Sequence, residues 1–156
     1  AIFKIVLIIG LLLSLFFNSF LAKNYIEKDM DLLSLDDKPQ FINITSTDQL
    51  NNIIASNKTK PIMLDFYADW CVACLEFEKF TFTDKEVREL MKQYILLKAD
   101  VTNNNLNDKE LMKKFNIFGP PAILFFDNSG DEIRQIRTIG FKNEKEFKKI
   151  LQIGSD

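Results

Sequence analysis

The sequence predicts an α/β fold in which a mixed central sheet carries helices on both of its faces. Three observations support this prediction. Apolar runs typical of strands alternate with segments of helical periodicity over residues 41–116, and such alternation favours parallel strands joined by helical crossovers. Two further strand candidates follow at 122–140 with a short turn between them, which indicates an antiparallel hairpin. A last amphipathic segment at 143–153 is typical of a closing helix.

The first predicted elements lead up to the cysteines. The run "FINI" at 41–44 is a short strand candidate, and a helix should follow it because Ser46 and Gln49 have the spacing of a capping box. Residues 61–68 are nearly all apolar, as expected for a central strand that is covered on both faces. A second helix should begin at about Cys71.

The remaining elements complete the order β-α-β-α-α-β-α-β-β-α. A third helix is expected over 83–94, with a second capping box formed by Thr83 and Glu86. Residues 95–101 are the next strand candidate, and the helix at 107–116 follows. The chain then continues with a strand, a turn, a strand and a helix, at 122–127, 128–130, 132–140 and 143–153.

The N-terminal stretch differs in kind from the rest of the chain. Residues 5–22 are apolar apart from Gly10, Ser14, Asn18 and Ser19, and their number is close to the lower limit of about 20 residues for a membrane-spanning helix. A cleaved signal peptide is the alternative, but a cut after Ala22 would put Phe20 where a small residue is wanted. A buried core helix is disfavoured because the segment has no polar face. The expected organisation is a membrane-spanning or signal segment, a linker and a domain outside the cytoplasm, at 1–22, 23–39 and 40–156.

Composition excludes several classes of function. The chain of 156 residues has 20 basic and 22 acidic residues, and a mildly acidic, mixed surface argues against nucleic-acid binding. It contains no histidine. Histidine-based metal sites and hydrolytic triads that depend on histidine are therefore excluded.

The two cysteines, Cys71 and Cys74, stand two residues apart and allow three interpretations. A structural zinc site normally needs four Cys or His ligands, which a single chain lacks. A structural staple across so short a loop stabilises by only about 2 kcal/mol. The start of a helix, by contrast, stabilises a thiolate at Cys71, and Cys74 lies one turn later. We therefore favour a redox-active Cys71–Cys74 disulfide, in which Cys71 attacks and Cys74 resolves, with no metal and no separate cofactor.

Three sequence runs resemble a known family. "MLDFYADWCVAC" and "GPPAILFF" resemble the thioredoxin fold family, whose fold has three layers. The longer run "DFYADWCVACLEFEKFTFTD" more narrowly resembles the C-terminal periplasmic domain of the DsbD family of bacterial thiol:disulfide interchange proteins. The resemblance extends from about Phe41 to Ile153. The family pattern differs at Leu75, where a lysine would be unsurprising, and at Pro120, which stiffens the loop before Pro121.

The resemblance implies a direction for the electrons and a set of partners. It implies a protein-disulfide reductase in the bacterial inner membrane, with its catalytic domain in the periplasm and residues 5–22 as the last membrane span. A membrane domain with its own cysteine pair would donate electrons, and a periplasmic protein or domain with a disulfide would accept them. The alternative is a stand-alone membrane-anchored thioredoxin-like protein, which serves cytochrome maturation or acts as an oxidase or isomerase. A non-catalytic binding module is disfavoured by the intact cysteine pair and the acid at Asp65.

Two carboxylates are predicted to serve the cysteine pair. Asp65 lies within the central strand, so we expect it to be buried, with a pKa raised by desolvation, and to take the proton of Cys74. Glu78 lies four residues after Cys74 and should share its helical face. Both negative charges oppose a thiolate at Cys71, which predicts a reducing pair.

Three residues are predicted to contact the substrate. Pro121 is expected to have a cis peptide bond and to lie beside the cysteines, with its flanking backbone free to pair with an extended partner segment. Pro120 belongs to the same loop. Trp70 is expected to shield the two thiols.

Overall fold

A five-stranded sheet forms the centre of the structure, a computed structural model that describes residues 38–155 together with Phe17 and Lys23. Its strands lie in the order β1-β3-β2-β4-β5, with β1 and β2 parallel to β3 and with β4 antiparallel to both β2 and β5. The strands are β1 (Ile42–Ile44), β2 (Ile62–Tyr67), β3 (Ile95–Asp100), β4 (Ala122–Phe126) and β5 (Thr138–Ile139). The predicted mixed sheet is confirmed.

Helices cover both faces of this sheet. The helices are α1 (Thr47–Ser56), α2 (Val72–Glu76), α3 (Lys85–Met91), α4 (Leu106–Lys114) and α5 (Glu144–Ser155). Successive residues of a strand point to opposite faces, and β2 shows this directly, because Leu64 packs in the core layer of α1 and α4 whereas Met63 packs in that of α3 and α5. The apolar run that predicted a doubly covered strand is therefore explained, and the three-layer α/β prediction is confirmed.

A π-helical turn, Phe77–Thr81, continues α2 without a break. The backbone N–H of Phe82 donates to the carbonyl oxygen of Phe77 at 2.8 Å, which is the wider bond of a π turn. Phe77 points into the core, where its ring contacts those of Phe82, Phe141 and Phe147. The sequence did not predict this turn.

The start of α1 agrees only in part with the predicted capping box. Ser46 is the N-cap, and its side chain accepts a hydrogen bond of 3.2 Å from the backbone N–H of Gln49. The Gln49 side chain, however, accepts at 2.8 Å from the N–H of Thr45 rather than from that of Ser46. The reciprocal half of the box is thus displaced by one residue.

The predicted capping box of Thr83 and Glu86 is wrong. The N-cap of α3 is Asp84, whose carboxylate accepts a 3.0 Å hydrogen bond from the N–H of Val87. The Thr83 hydroxyl instead donates to the carbonyl oxygen of Lys79 at 2.9 Å and so closes the preceding turn. The helix consequently begins later than predicted.

The second strand of the predicted hairpin is also shorter than expected. Glu132 forms a single bridge with Phe126, a 3₁₀ turn follows at Arg134–Ile136, and only β5 resumes regular pairing. An ion pair accompanies this irregular backbone, because the Arg137 guanidinium donates two hydrogen bonds of 2.7 Å to the Glu132 carboxylate. Residues five apart on an extended strand would be separated by about 16 Å, so the ion pair requires the chain between them to coil.

The predicted segment at 1–22 lies, apart from Phe17, outside the described residues, as does most of the predicted linker at 23–39. The membrane attachment and the division into segments therefore stay predictions. In the part of the chain that the structure describes, no helix is both long and apolar enough to cross a membrane.

Candidate active site

The two cysteines lie where strand β2 passes into helix α2. Their sulfurs are bonded at 2.09 Å, so the structure is that of the oxidised form. Cys71 is the N-cap residue of α2, and its sulfur accepts a 3.1 Å hydrogen bond from the backbone N–H of Cys74. The same amide would stabilise negative charge on the Cys71 sulfur after reduction. Both side chains are largely buried, which leaves little room for water at the reacting sulfurs.

Asp65 is an acid in the middle of the apolar strand β2. Its side chain is buried, and its neighbours Leu64 and Phe66 have no solvent exposure. Burial raises the pKa of the Asp65 carboxyl from 3.8 to about 7, the positive charge of Lys98 opposes this rise, and the negative charge of Glu78 adds to it. The predicted burial and the predicted upward pKa shift are confirmed. A carboxyl with this pKa can both accept and release a proton at neutral pH.

Lys98 is the site residue that the sequence reasoning missed. The parallel register of β2 and β3 sets Lys98 beside Asp65, and its Nζ lies 2.6 Å from Oε1 of Glu78. The ammonium group also lies 4.5 Å from the ring centroid of Tyr67 and 4.9 Å from that of Phe41. Only 17% of the Lys98 side chain is exposed. The one available signal was a lysine inside the apolar run "ILLKADV", to which no role was given.

Glu78 reaches this cluster from the π-helical turn. Its carboxylate is bound by Lys98, and 40% of its side chain remains exposed. It lies near enough to Asp65 for its negative charge to raise the pKa of that carboxyl. The sequence placed Glu78 with Cys74 and Asp65, and the structure adds the lysine that pairs with it.

Trp70 is fixed to the loop that follows β3. Its indole N–H donates to the carbonyl oxygen of Thr102 at 3.2 Å, and the N–H of Asp69 donates to the hydroxyl of the same threonine at 2.9 Å. The ring nevertheless remains 60% exposed. Thr102, which the sequence reasoning also missed, therefore holds the segment that leads into Cys71. That Trp70 shields the thiols stays a prediction.

The Pro120–Pro121 peptide bond is cis, as predicted for Pro121. Pro121 is buried and Pro120 is half-buried. The carbonyl oxygen of Pro121 accepts a 3.1 Å hydrogen bond from the N–H of Gly140, so part of the backbone expected to be free is already paired within the chain. Pro120 has no N–H to donate. At this residue, a partner segment can form a hydrogen bond only to the Pro120 carbonyl oxygen.

Apolar side chains are exposed next to the cysteines and before the proline pair. Val72 and Leu75 lie on α2, directly beside Cys71 and Cys74, and Phe118 has full solvent exposure. Large apolar side chains exposed close to a reactive site are typical of a protein contact site.

No group of three or more Cys, Asp or Glu side chains within the described residues could hold a metal ion. The expected independence from a metal and from a separate cofactor stays a prediction.

The family model of the thioredoxin-like domain matches residues 27–154, which is most of the chain. The chain belongs to the thioredoxin-like family. The strand order, the disulfide at the start of α2 and the cis proline thus lie within one recognised thioredoxin-like domain.

Within this thioredoxin-like family, the chain is similar to DsbD proteins. The chain is 49% identical over 109 residues to the thiol:disulfide interchange protein DsbD of Yersinia pestis (strain Pestoides F), a match that covers 70% of this chain and 18% of the relative. It is 50% identical over 107 residues to DsbD of Salmonella typhi, which covers 69% of this chain and 19% of the relative. The matched part is thus about a fifth of the length of these curated relatives.

Solved structures of a DsbD C-terminal domain are also similar to this chain. The reduced DsbD C-terminal domain of Neisseria meningitidis superimposes with a TM-score of 0.62 at 26% identity, covering 72% of this chain and 99% of that domain. Its oxidised form gives a TM-score of 0.59 at 28% identity, covering 69% of this chain and 90% of that domain. The resemblance to a DsbD C-terminal domain is confirmed. Together with the Cys71–Cys74 disulfide it supports thiol–disulfide oxidoreductase activity in general.

Proposed function

We propose that this chain is a periplasmic thiol–disulfide reductase, which relays an electron pair from a membrane donor domain to a disulfide on a periplasmic acceptor. The observation that carries the proposal is the Cys71–Cys74 disulfide at the start of α2, in a site that also holds a buried acid with a pKa of about 7 at Asp65. The similarity to DsbD supports the inner-membrane location and the two classes of partner.

The proposed reaction has two steps. In the reduced protein the Cys71 thiolate attacks one sulfur of the acceptor disulfide, so that a mixed disulfide forms and the acceptor's own S–S bond breaks. Cys74 then gives its proton to Asp65, and its sulfur attacks the sulfur of Cys71. The Cys71–Cys74 bond forms and the mixed disulfide breaks. The acceptor leaves with two more electrons and takes up two protons from solvent, while Asp65 returns its proton to solvent.

The chain is then oxidised and must be recharged. A dithiol on the membrane donor domain reverses the same exchange at Cys71, which is the sulfur at the N-cap of α2. The exposed apolar side chains of Val72, Leu75 and Phe118 provide contact surface for both partners. Asp65 acts as acid in this direction and as base in the other, which its pKa of about 7 permits.

The experiment measures the reduction potential of the cysteine pair, which decides the favoured direction of electron transfer. The whole chain is equilibrated with glutathione buffers, and the fraction of Cys71–Cys74 disulfide is read at each potential. We expect a value nearer to the about −270 mV of a reducing thioredoxin than to the about −120 mV of a strong oxidant. A value at the oxidising end would contradict the proposal.

A trapping experiment tests the order of attack. The reduced Cys74→Ser variant should accumulate a mixed disulfide with a disulfide-bearing acceptor, because no resolving thiol remains. The matched Cys71→Ser variant should accumulate little, since it is the Cys71 sulfur, at the N-cap of α2, that accepts the backbone N–H able to stabilise a thiolate. Equal trapping by the two variants would refute the assigned roles.

A further inference from the structure

A chain of hydrogen bonds that runs through Thr102 ties the segment before Cys71 to the end of strand β3. The backbone N–H of Asp69 donates to the Thr102 hydroxyl at 2.9 Å, and the indole N–H of Trp70 donates to the Thr102 carbonyl oxygen at 3.2 Å. Thr102 is held in turn by Asp100, the last residue of β3. The Asp100 carboxylate accepts from the backbone N–H of Thr102 at 2.9 Å and also from its hydroxyl. We refer to Asp100 and Thr102 as the clamp.

The Asp100 carboxylate decides which way the Thr102 hydroxyl points. A carboxylate only accepts hydrogen bonds, so the single hydroxyl proton is directed to Asp100. A lone pair of the hydroxyl oxygen is then left for the N–H of Asp69. Without Asp100 the hydroxyl would be free to rotate, and the backbone just before Trp70 would lose a fixed acceptor. The carboxylate therefore belongs to this device although it lies on a different element from the cysteines.

Trp70 is fixed at its polar edge while its ring stays open to solvent. Its N–H is bound, yet 60% of the residue is exposed. An exposed aromatic side chain without such an anchor exchanges between rotamers, and a partner would have to order it on binding. An indole that is already ordered provides contact area at a lower entropic cost, and tryptophan is enriched among the residues that dominate protein interfaces.

We propose that Asp100 and Thr102 are positioning residues for partner binding, which hold Trp70 in the orientation in which its ring meets the protein that exchanges disulfides at Cys71. The inference rests on the proposed function, because it assigns part of the partner contact. It adds to that function two residues at the end of β3. It also predicts an effect on the binding of a protein partner rather than on the reaction of the sulfurs.

The reacting sulfurs have supports of their own. The backbone N–H of Cys71 donates to the carbonyl oxygen of Ala68 at 3.0 Å, and the Cys71 sulfur accepts from the N–H of Cys74 at 3.1 Å. Neither bond involves the clamp. Loss of the clamp should therefore loosen the Trp70 side chain and leave the geometry of the disulfide intact.

Fluorescence tests the hold on Trp70, because this is the only tryptophan in the sequence. Anisotropy decay of the indole is measured on the oxidised, whole chain in a mild detergent. Thr102→Val removes the hydroxyl and Asp100→Ala the carboxylate, so both should increase the amplitude of nanosecond motion of the ring. Thr102→Ser and Asp100→Asn keep a hydroxyl and an acceptor oxygen, so both should retain the native amplitude.

Thr59→Val is the matched control for Thr102→Val. The Thr59 hydroxyl also donates to a side chain, that of Asn57 at 3.3 Å, but it lies before β2 begins. This variant should leave the motion of the indole unchanged. If Thr102→Val had no more effect than Thr59→Val, the clamp would not position Trp70.

Single-turnover reduction separates partner binding from chemistry. The reduced protein is mixed with insulin as a protein disulfide and with glutathione disulfide as a small one. Thr102→Val and Asp100→Ala should raise the half-saturating concentration of insulin about two- to tenfold, because the loosened indole has to be ordered on binding. The maximal rate with insulin and the rate with glutathione disulfide should stay close to the native values.

A double variant tests whether the clamp acts through the ring. In the Trp70→Ala background, the added Thr102→Val change should cause no further rise in the half-saturating concentration of insulin. An equal further rise in both backgrounds would overturn the route through Trp70. An equal loss of rate with both disulfides would also overturn it, because Thr102 would then serve the cysteines themselves.

The two readouts distinguish this inference from the function it rests on. If the indole becomes mobile in Thr102→Val but even the native protein reduces neither disulfide, the proposed function fails, whereas the hold on Trp70 stands on the fluorescence result. If the native protein reduces insulin and the mobile indole of Thr102→Val leaves the half-saturating concentration unchanged, the clamp has no role in partner binding.

Discussion

Replacing Asp65 by asparagine should stabilise the folded protein at alkaline pH far more than at acidic pH. The folded-state pKa of about 7 lies above the value of 3.8 for an exposed aspartate. The folded protein therefore binds this proton more tightly than the unfolded chain does. The stability that comes from the protonated form is complete below about pH 3.8, is lost as the pH rises, and is fully lost above about pH 7.

The size of this effect follows from the two pKa values. Each pKa unit corresponds to about 1.4 kcal/mol, so the difference between 3.8 and about 7 amounts to about 4 kcal/mol in the free energy of unfolding. The Asp65→Asn side chain is neutral at every pH and escapes this loss. An unpaired buried amide costs about 1–3 kcal/mol, but that cost does not depend on pH.

The assay measures urea unfolding of the oxidised native chain and of Asp65→Asn between about pH 4 and pH 8. The useful quantity is the difference in stability between the two proteins, because titrating groups far from Asp65 contribute equally to both. This difference should change by about 4 kcal/mol in favour of the variant as the pH rises. Parallel stability curves across this range would refute the raised pKa and, with it, the role of Asp65 as proton acceptor.

Two further predictions concern packing and a partly buried ion pair, and both are read from urea unfolding at neutral pH. Phe77→Ala should lower the free energy of unfolding by about 3–5 kcal/mol, because its ring is only 2% exposed, whereas Phe80→Ala, at a ring 54% exposed, should cost less than about 1 kcal/mol. Similar losses in both variants would contradict the described core. Arg137→Ala should cost about 2–4 kcal/mol, because it strips two hydrogen bonds from Glu132, a side chain only 10% exposed. The Arg134 side chain is 81% exposed and lies 3.6 Å from the same carboxylate, so Arg134→Ala should cost about 0.5 kcal/mol or less. If Arg137→Ala cost no more than Arg134→Ala, the ion pair of Arg137 with Glu132 would be unimportant for stability.

The features that were predicted correctly from the sequence depend on residues that are close together along the chain. The strand that precedes Cys71 and the one-turn spacing to Cys74 are local, and both are present. The burial of Asp65 followed from its apolar neighbours. The order of the elements followed from the change of periodicity along the chain, since each element is long enough to show one.

The sequence reasoning missed Lys98 because its position beside Asp65 depends on the register of β2 and β3. Nothing within β3 indicates which residue of β2 will lie beside it, and a shift of the pairing by one residue would give Asp65 a different neighbour. Glu78 shows the same limit, because its partner is set by the π-helical turn and by the position of β3 together.

Local errors arose where two neighbouring residues offered the same chemistry. Thr83 and Asp84 are both good N-cap residues, and the choice was decided by a carbonyl of the preceding turn that accepts from Thr83. The hairpin was misjudged because the ion pair between Glu132 and Arg137, which an extended segment could not form, is not visible in the apolar periodicity of the residues between them.

The position of Lys98 in β3 also matters while the sheet assembles, because it distinguishes the native register from a shifted one. Its neighbours Leu97 and Ala99 pack into the core layer beneath α1 and α4, on the face opposite to the Lys98 side chain. A strand docked one residue out of step would bury an ammonium ion in that layer, at a cost of several kcal/mol. A misaligned strand would therefore be unstable, so Lys98 favours the native register of β3.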